Sequence, residues 1–327
     1  MAQLSVRDVL THLTTGRSLW KAELSGINLQ GVRLDGADFS EAYLRRANLV
    51  HASCRGTDFS QAVLILADLS KTCLEGSQLT GAVLTQANLQ RANVSFARAA
   101  QVKLYGTTLD HVDASQAMLD EADLQEASGP QAIFAQASLR RAKFNQANFS
   151  QATFQGAVLP QSQWRQATLA GTSFATARLY RSDFTQAMLM GANLSESVCI
   201  HSQFHQADLT AATLRSTVLE WAHFDQAVLV DADFRTARLF GCSFPGATLT
   251  RARFDGADLR NVDFQNAHLA GVSFEDCRIR GAQFWGATGL TPVQRMGLKR
   301  QGARGLRYVF TPLHPQMRFN GRILNQV

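Results

Sequence analysis

No stretch of this chain approaches the roughly 18 consecutive apolar residues that a membrane-spanning helix needs. The first ten residues, MAQLSVRDVL, lack a basic region followed by an apolar core, so no signal peptide is expected there. Cysteine is scarce: five in 327 residues, an odd number, with no CxxC pair. That argues against a disulfide framework and predicts a reduced, cytoplasmic protein. A phosphate-binding glycine loop, a nucleophile elbow and an HExxH helix are all missing. The expectation is a non-enzymatic protein with no cofactor and no metal. The last absence is of one charge sign. From Ala287 to Val327 there is no Asp or Glu, while Arg295, Lys299, Arg300, Arg304, Arg307, Arg318 and Arg322 are basic. The whole chain is +6, which leaves residues 1–286 with 25 basic and 26 acidic side chains. The basic character belongs to the C-terminal segment.

What the chain has in abundance is a period of five. Of the 54 positions ending in 4 or 9 from Leu19 to Phe284, 46 are Leu or Phe. The exceptions are Cys54, Val94, Ala99, Ala114, Gly129, Trp164, Cys199 and Ile279. Two places earlier the residue is small, Ala in 35 of 53 cases. Residues two apart on an extended segment point to the same side, so both point inward and the residue between them points out. The two that follow turn the chain. Each unit is then one short side plus a corner, and stacked coils sit about 4.8 Å apart. The small inward residue makes room for its large neighbour, so a narrow interior fills without voids.

From Phe134 to Phe284 the large-slot positions ending in 4 are mostly Phe or Trp and those ending in 9 mostly Leu, an alternation with a ten-residue period. Four sides per coil, twenty residues, would place Phe on two opposite walls and Leu on the other two. Three sides would mix them. The motif A-(D/N)-(L/F)-x-x, seen in ADF, ANL, ADL and ANF, resembles the pentapeptide-repeat family over residues 17–286. The resemblance implies an all-β solenoid, a right-handed quadrilateral parallel β-helix of about 13 coils with short helical caps at both ends. The division expected is a capping helix over 1–16, the repeat body over 17–286, and a basic cap and tail over 287–327. A short amphipathic helix leading straight into coils is similar to many cyanobacterial members, most without an assigned biochemical role.

Ser5 with Asp8 reads as a capping box, and Val6, Val9, Leu10 and Leu13 share one helical face. Thr291 followed by Pro292 starts a second helix. The segment after it, with LRYVF and MRFNGRIL, reads as a hairpin, a homodimer contact or a flexible arm. Between 94 and 129 half of the eight large slots hold Val94, Ala99, Ala114 or Gly129, which signals either drift in repeat quality or a local bend. Cys54, Cys199, Cys242 and Cys277 fall in inward slots and read as small core residues. His201, His205 and His223 can approach each other on adjoining faces, but no thiolate or carboxylate joins them, so they read as solvated.

Any specific function must then lie on the walls. The wall holding Phe39, Leu139, Leu179 and Leu259 carries Arg140, Arg141, Arg178, Arg181, Arg238, Arg260, Arg278 and Arg280 from residue 137 onward, against Glu220 and Asp258. With Arg295, Lys299, Arg300, Arg304 and Arg307 of the tail, these are the candidate partner-binding residues. The first reading is a rigid scaffold for a protein partner whose identity the residues do not specify. The second is a binder of an anionic partner, nucleic acid or an anionic membrane surface. Aromatics are not interleaved with these arginines as single-strand binding favours. The third follows from the resemblance: some family members protect DNA gyrase from quinolones through long acidic surfaces. This near-neutral repeat body lacks such a surface.

Overall fold

The structure is a computed structural model that describes residues 4–306. Its body is a column of coils in strict register. Isolated parallel bridges join every fifth residue to the one twenty places on, from Glu23↔Tyr43 to His268↔Thr288. Each side is a single bridging residue between turns rather than an extended run. Two backbone hydrogen bonds frame each bridge. The Leu24 N–H donates to the Tyr43 carbonyl at 2.8 Å, and the Tyr43 N–H donates to the Ala22 carbonyl at 2.9 Å. A third closes each corner: Ile27, in the small inward slot, donates its N–H to the Leu24 carbonyl at 3.1 Å. The corners require a backbone conformation that the spacing of Leu and Phe does not reveal. All positions ending in 1 or 6 from 21 to 286 have positive φ, 38 of them non-glycine and 16 glycine. Left-handed φ is unfavourable for residues with a Cβ. Here the corner N–H is also bonded to the coil above, as at Lys21 to the Ser40 carbonyl (3.1 Å), which offsets the strain.

The interior is filled by the two inward slots. Phe and Trp form ladders along two walls. On one, Phe144, Trp164, Phe184, Phe204 and Phe224 stack with centroids 3.9, 5.8, 5.0 and 4.7 Å apart. On the other, Phe134, Phe154 and Phe174 stack at 4.9 and 5.2 Å. Across the axis the rings meet edge to face, as Trp164 does with Phe154 and Phe174 at 86°. Ten residues apart thus means edge-to-face, and twenty means stacked, both favoured aromatic geometries.

Most Ser, Thr and Cys residues that replace Ala in the small slot find an acceptor there, the buried Ser77 hydroxyl being left without a partner among the described residues. They donate to the carbonyl of the large-slot residue 23 positions earlier, as Thr57 does to Leu34 (2.8 Å), Ser202 to Leu179 (2.6 Å), Cys242 to Leu219 (2.9 Å) and Cys277 to Phe254 (2.8 Å). Burial pushes the Cys199 and Cys277 thiols up to about 12 and raises those of Cys54 and Cys242 further, so none of them is a thiolate near neutrality. Trp164 uses the same slot differently. Its indole N–H donates to Ser162 Oγ at 2.7 Å; Ser162 donates to Ser182 Oγ at 3.1 Å, which donates to the Leu159 carbonyl at 2.9 Å.

Helix α1 (Val6–Thr14) begins at Ser5, whose N–H donates to Asp8 Oδ2 at 2.9 Å, and it buries Val9 in the core. Helix α2 (Pro292–Arg300) begins at Thr291 and buries Leu298. After α2 the chain returns to the column. Arg304 bridges Gln283 and its N–H donates to the Ala282 carbonyl at 2.8 Å.

The stretch from 94 to 129 keeps its register, with bridges such as Asn93↔Asp113 and Thr108↔Ser128 unbroken. Its irregular slots have two separate causes. At Gly129 a Cβ would lie 2.4 Å from the Phe149 ring, so the ring occupies the space the missing side chain leaves. Around Val94, Ala99 and Ala114 nothing compensates, and a purely apolar cavity of about 30 Å³ remains. Ala114→Val should fill part of it. At ~24 cal/mol per Å³ filling all of it would gain about 0.7 kcal/mol, so the gain should stay below that, readable as a higher urea midpoint with an unchanged slope. A lower midpoint would show that the coil cannot accept the added methyls.

Candidate interaction surface

With twenty residues per coil, side chains far apart in sequence become vertical neighbours. The predicted arginine wall runs Val158, Arg178, Val198, Val218, Arg238, Asp258, Arg278 along its central bridging row. The rows beside it hold Asp120, Arg140, Pro160, Tyr180, Ile200, Glu220, Phe240, Arg260 and Arg280, and Glu121, Arg141, Arg181 and Trp221. All eight predicted arginines stand on this wall.

Half of them are paired. Arg140 lies 3.4 Å from Asp120, Arg141 3.4 Å from Glu121, Arg238 2.5 Å from Glu220 and Arg260 2.6 Å from Asp258. Exposed pairs of this kind contribute little stability, but they cancel local charge. The hydrogen bonds from Arg260 hold the Asp258 carboxyl below the usual carboxylate range. Among the described residues, Arg178, Arg181, Arg278 and Arg280 make no ion pair within 4 Å. Counting Asp120 and Glu121, eight arginines face four acids, a smaller excess than the stretch from 137 onward suggests.

The tail candidates are scattered. Arg295 Nε donates to the Leu290 carbonyl at 3.3 Å. Lys299 and Arg300 occupy the last turn of α2, where cations suit the helix dipole. Arg304 is tied into the coil by its backbone, and Arg307, with the hairpin, dimer and arm readings, lies outside the described residues. His223 Nδ1 lies 3.8 Å from Asp225, and among the described residues no cluster of three His, Cys, Asp or Glu side chains could hold a metal. No helix among them is long and apolar enough to cross a membrane.

One expectation is overturned: aromatics do interleave with the arginines. Tyr180 is 40% exposed and Trp221 is 47% exposed, both on the arginine wall. Trp221 meets Phe240 edge to face at 5.4 Å, and the Arg260 guanidinium lies 5.6 Å from the Phe240 centroid. A Cβ at Gly241 would lie 2.7 Å from the Trp221 ring, so the missing side chain at 241 lets the indole lie against the backbone. Trp221, Phe240 and Arg260 are 19 to 39 positions apart, which hides their stack from a reading along the chain, although Tyr180 stands between Arg178 and Arg181 in the sequence itself. The signal was available in the register itself, in the same rows that expose the arginines, and in Phe240, one of three Phe or Leu residues outside the core slot between residues 17 and 286.

Solved structures similar to this chain include HetL, a pentapeptide repeat protein involved in heterocyst differentiation regulation from the cyanobacterium Nostoc sp. strain PCC 7120, at 24% identity over 87% of this chain and 97% of that one, with a TM-score of 0.22. QnrB1, a plasmid-mediated fluoroquinolone resistance protein, is 19% identical over 51% of this chain and 90% of that one, with a TM-score of 0.25. Rfr23, a pentapeptide repeat protein from the cyanobacterium Cyanothece 51142, is 24% identical over 35% of this chain and 85% of that one, with a TM-score of 0.17. No curated protein matches the chain. The sequence profile of the family Pentapeptide repeats (8 copies) matches in overlapping blocks over residues 22–113 and 132–288, leaving out the stretch that holds Ala114 and Gly129. With well over half of its residues matched by that profile, the chain belongs to the pentapeptide repeat family, whose repeats fold as right-handed quadrilateral β-helices.

Proposed function

We propose that this protein is a non-catalytic interaction protein, a right-handed quadrilateral β-helix that presents its outer walls to a protein partner. The proposed division is a capping helix over 1–16, a repeat body over 17–286 and a basic cap and tail over 287–327. The observation that carries the function is the distribution of side chains. The axis is packed with apolar groups, and its one cavity described above is far smaller than the several hundred Å³ of a usual ligand pocket. What remains for recognition is the outside. There one wall gathers Tyr180, Trp221, Phe240 and arginines, the residue types enriched at protein interfaces. The expected cellular setting is the cytoplasm.

Capture of the tagged full-length chain from its native cells at low and high salt tests this reading. A protein recovered in stoichiometric amount at both salts supports it. Recovery of nucleic acid alone, lost steeply as salt rises, would instead favour the anionic-partner reading. Arg178, Arg181, Arg278 and Arg280, without ion pairs among the described residues, are the observation behind that second reading.

A further inference from the structure

We propose that the segment of the arginine wall from Val158 to Arg260 is a docking face for an acidic, apolar protein segment, anchored on Trp221. The inference rests on the interaction reading above and specifies its site and partner chemistry. Three observations carry it. First, the indole is exposed yet held: it lies against Gly241, meets Phe240 edge to face, and Phe240 in turn carries the Arg260 guanidinium, which Asp258 grips through Nε at 2.8 Å and Nη2 at 2.6 Å. An aromatic ordered before binding loses little entropy on contact, which is how a surface tryptophan becomes a dominant contact. Second, Val198 and Val218 stand one above the other on the flat central row beside Ile200, a short aliphatic strip next to the anchor. Third, the two arginines without ion pairs that border this strip are Arg178 and Arg181.

The charge pattern chooses the partner class. Nucleic acid binding needs many uncompensated cations along a backbone path. Around this strip Arg238 and Arg260 are already neutralised by Glu220 and Asp258, which leaves two. Two free guanidiniums beside an aliphatic strip and an aromatic anchor suit carboxylates flanking apolar side chains, the composition of an acidic peptide segment.

The test uses the full-length protein and a random linear peptide library displayed on phage. Enriched peptides should combine Asp or Glu with Leu, Ile or aromatic residues. Their synthetic versions should bind about tenfold or more weakly to Trp221→Ala and to the double variant Arg178→Glu/Arg181→Glu. Both variants should remain folded: position 221 has φ 61°, and Ala211 occupies the equivalent corner at φ 56°. Circular dichroism checks this. Peptides that bind the variants as tightly as the parent would overturn the site and leave the interaction reading standing. Failure to enrich any peptide overturns the site too, and whether the interaction reading survives is then decided by the capture experiment. Binding of poly(dT) or phosphatidylserine vesicles that depends on Trp221 would assign the face to a different partner class. Self-association abolished by Trp221→Ala, read by sedimentation, would assign it to a second copy of this chain.

Discussion

Trp164→Ala is expected to lower stability by about 3–5 kcal/mol, the cost of deleting a fully buried large aromatic. The ring is sandwiched between Phe144 at 3.9 Å and Phe184 at 5.8 Å, and it touches Phe154 and Phe174 edge to face. The surrounding coils are pinned by backbone bonds every five residues, so they cannot collapse onto the void. Contacts in a stacked array run only to neighbouring coils, so the damage should be local. Hydrogen exchange should show faster exchange from about residue 144 to 184, with amides near Leu29 to Leu49 unchanged. Uniform loss along the whole chain would contradict the nearest-neighbour picture. The polar chain inside the same coil makes a second measurement possible. Ser162→Ala should cost about 1–3 kcal/mol because it strands the buried indole N–H. In a Trp164→Phe background Ser162→Ala should cost much less, since Phe has no donor to satisfy. If Ser162→Ala costs the same in both backgrounds, the hydrogen bond contributes nothing specific.

Gly289→Ala is the second large expected effect. Gly289 has φ +83°, and a Cβ there would lie 2.4 Å from the Ala270 nitrogen and 2.8 Å from its Cα. Those are backbone atoms of the last coil and cannot swing aside. The substitution combines left-handed strain with a clash at the point where the column hands over to α2. A loss of about 3 kcal/mol or more at this end is expected. Gly256→Ala is the control. It has φ +70°, but the nearest atom to its Cβ position is Thr236 Cγ2 at 3.5 Å, an ordinary contact. Its cost should be only about 1 kcal/mol. Thermal unfolding of the two variants decides the point. Equal shifts would show that φ alone, and not the approach of Ala270, sets the requirement at 289.

The repeat is legible because one slot carries one physical demand. Leu, Phe and Ala at fixed spacing record which side chains face the axis, and the ten-residue alternation of Phe with Leu records which rings will stack. Gly129 reads as slack in the sequence because its compensation, Phe149, stands a full coil away. The left-handed corners leave a trace in the sixteen glycines of one slot, but Gln and other residues at most corners mask it. The interaction surface is half legible: the register gives the rows that hold the arginines and the aromatics, but not which charges pair or how the rings pack.

By itself, then, the sequence determined the twenty-residue coil and the filling of its axis. These follow from side-chain size and alternation, which act locally and repeat. Only the tertiary structure decided which surface charges cancel, where the core keeps a cavity, and that Trp221, Phe240 and Arg260 form one ordered stack over Gly241. Apart from Asp258 with Arg260, those outcomes depend on distances between residues about a coil or more apart in sequence, and such distances exist only once the coils are stacked.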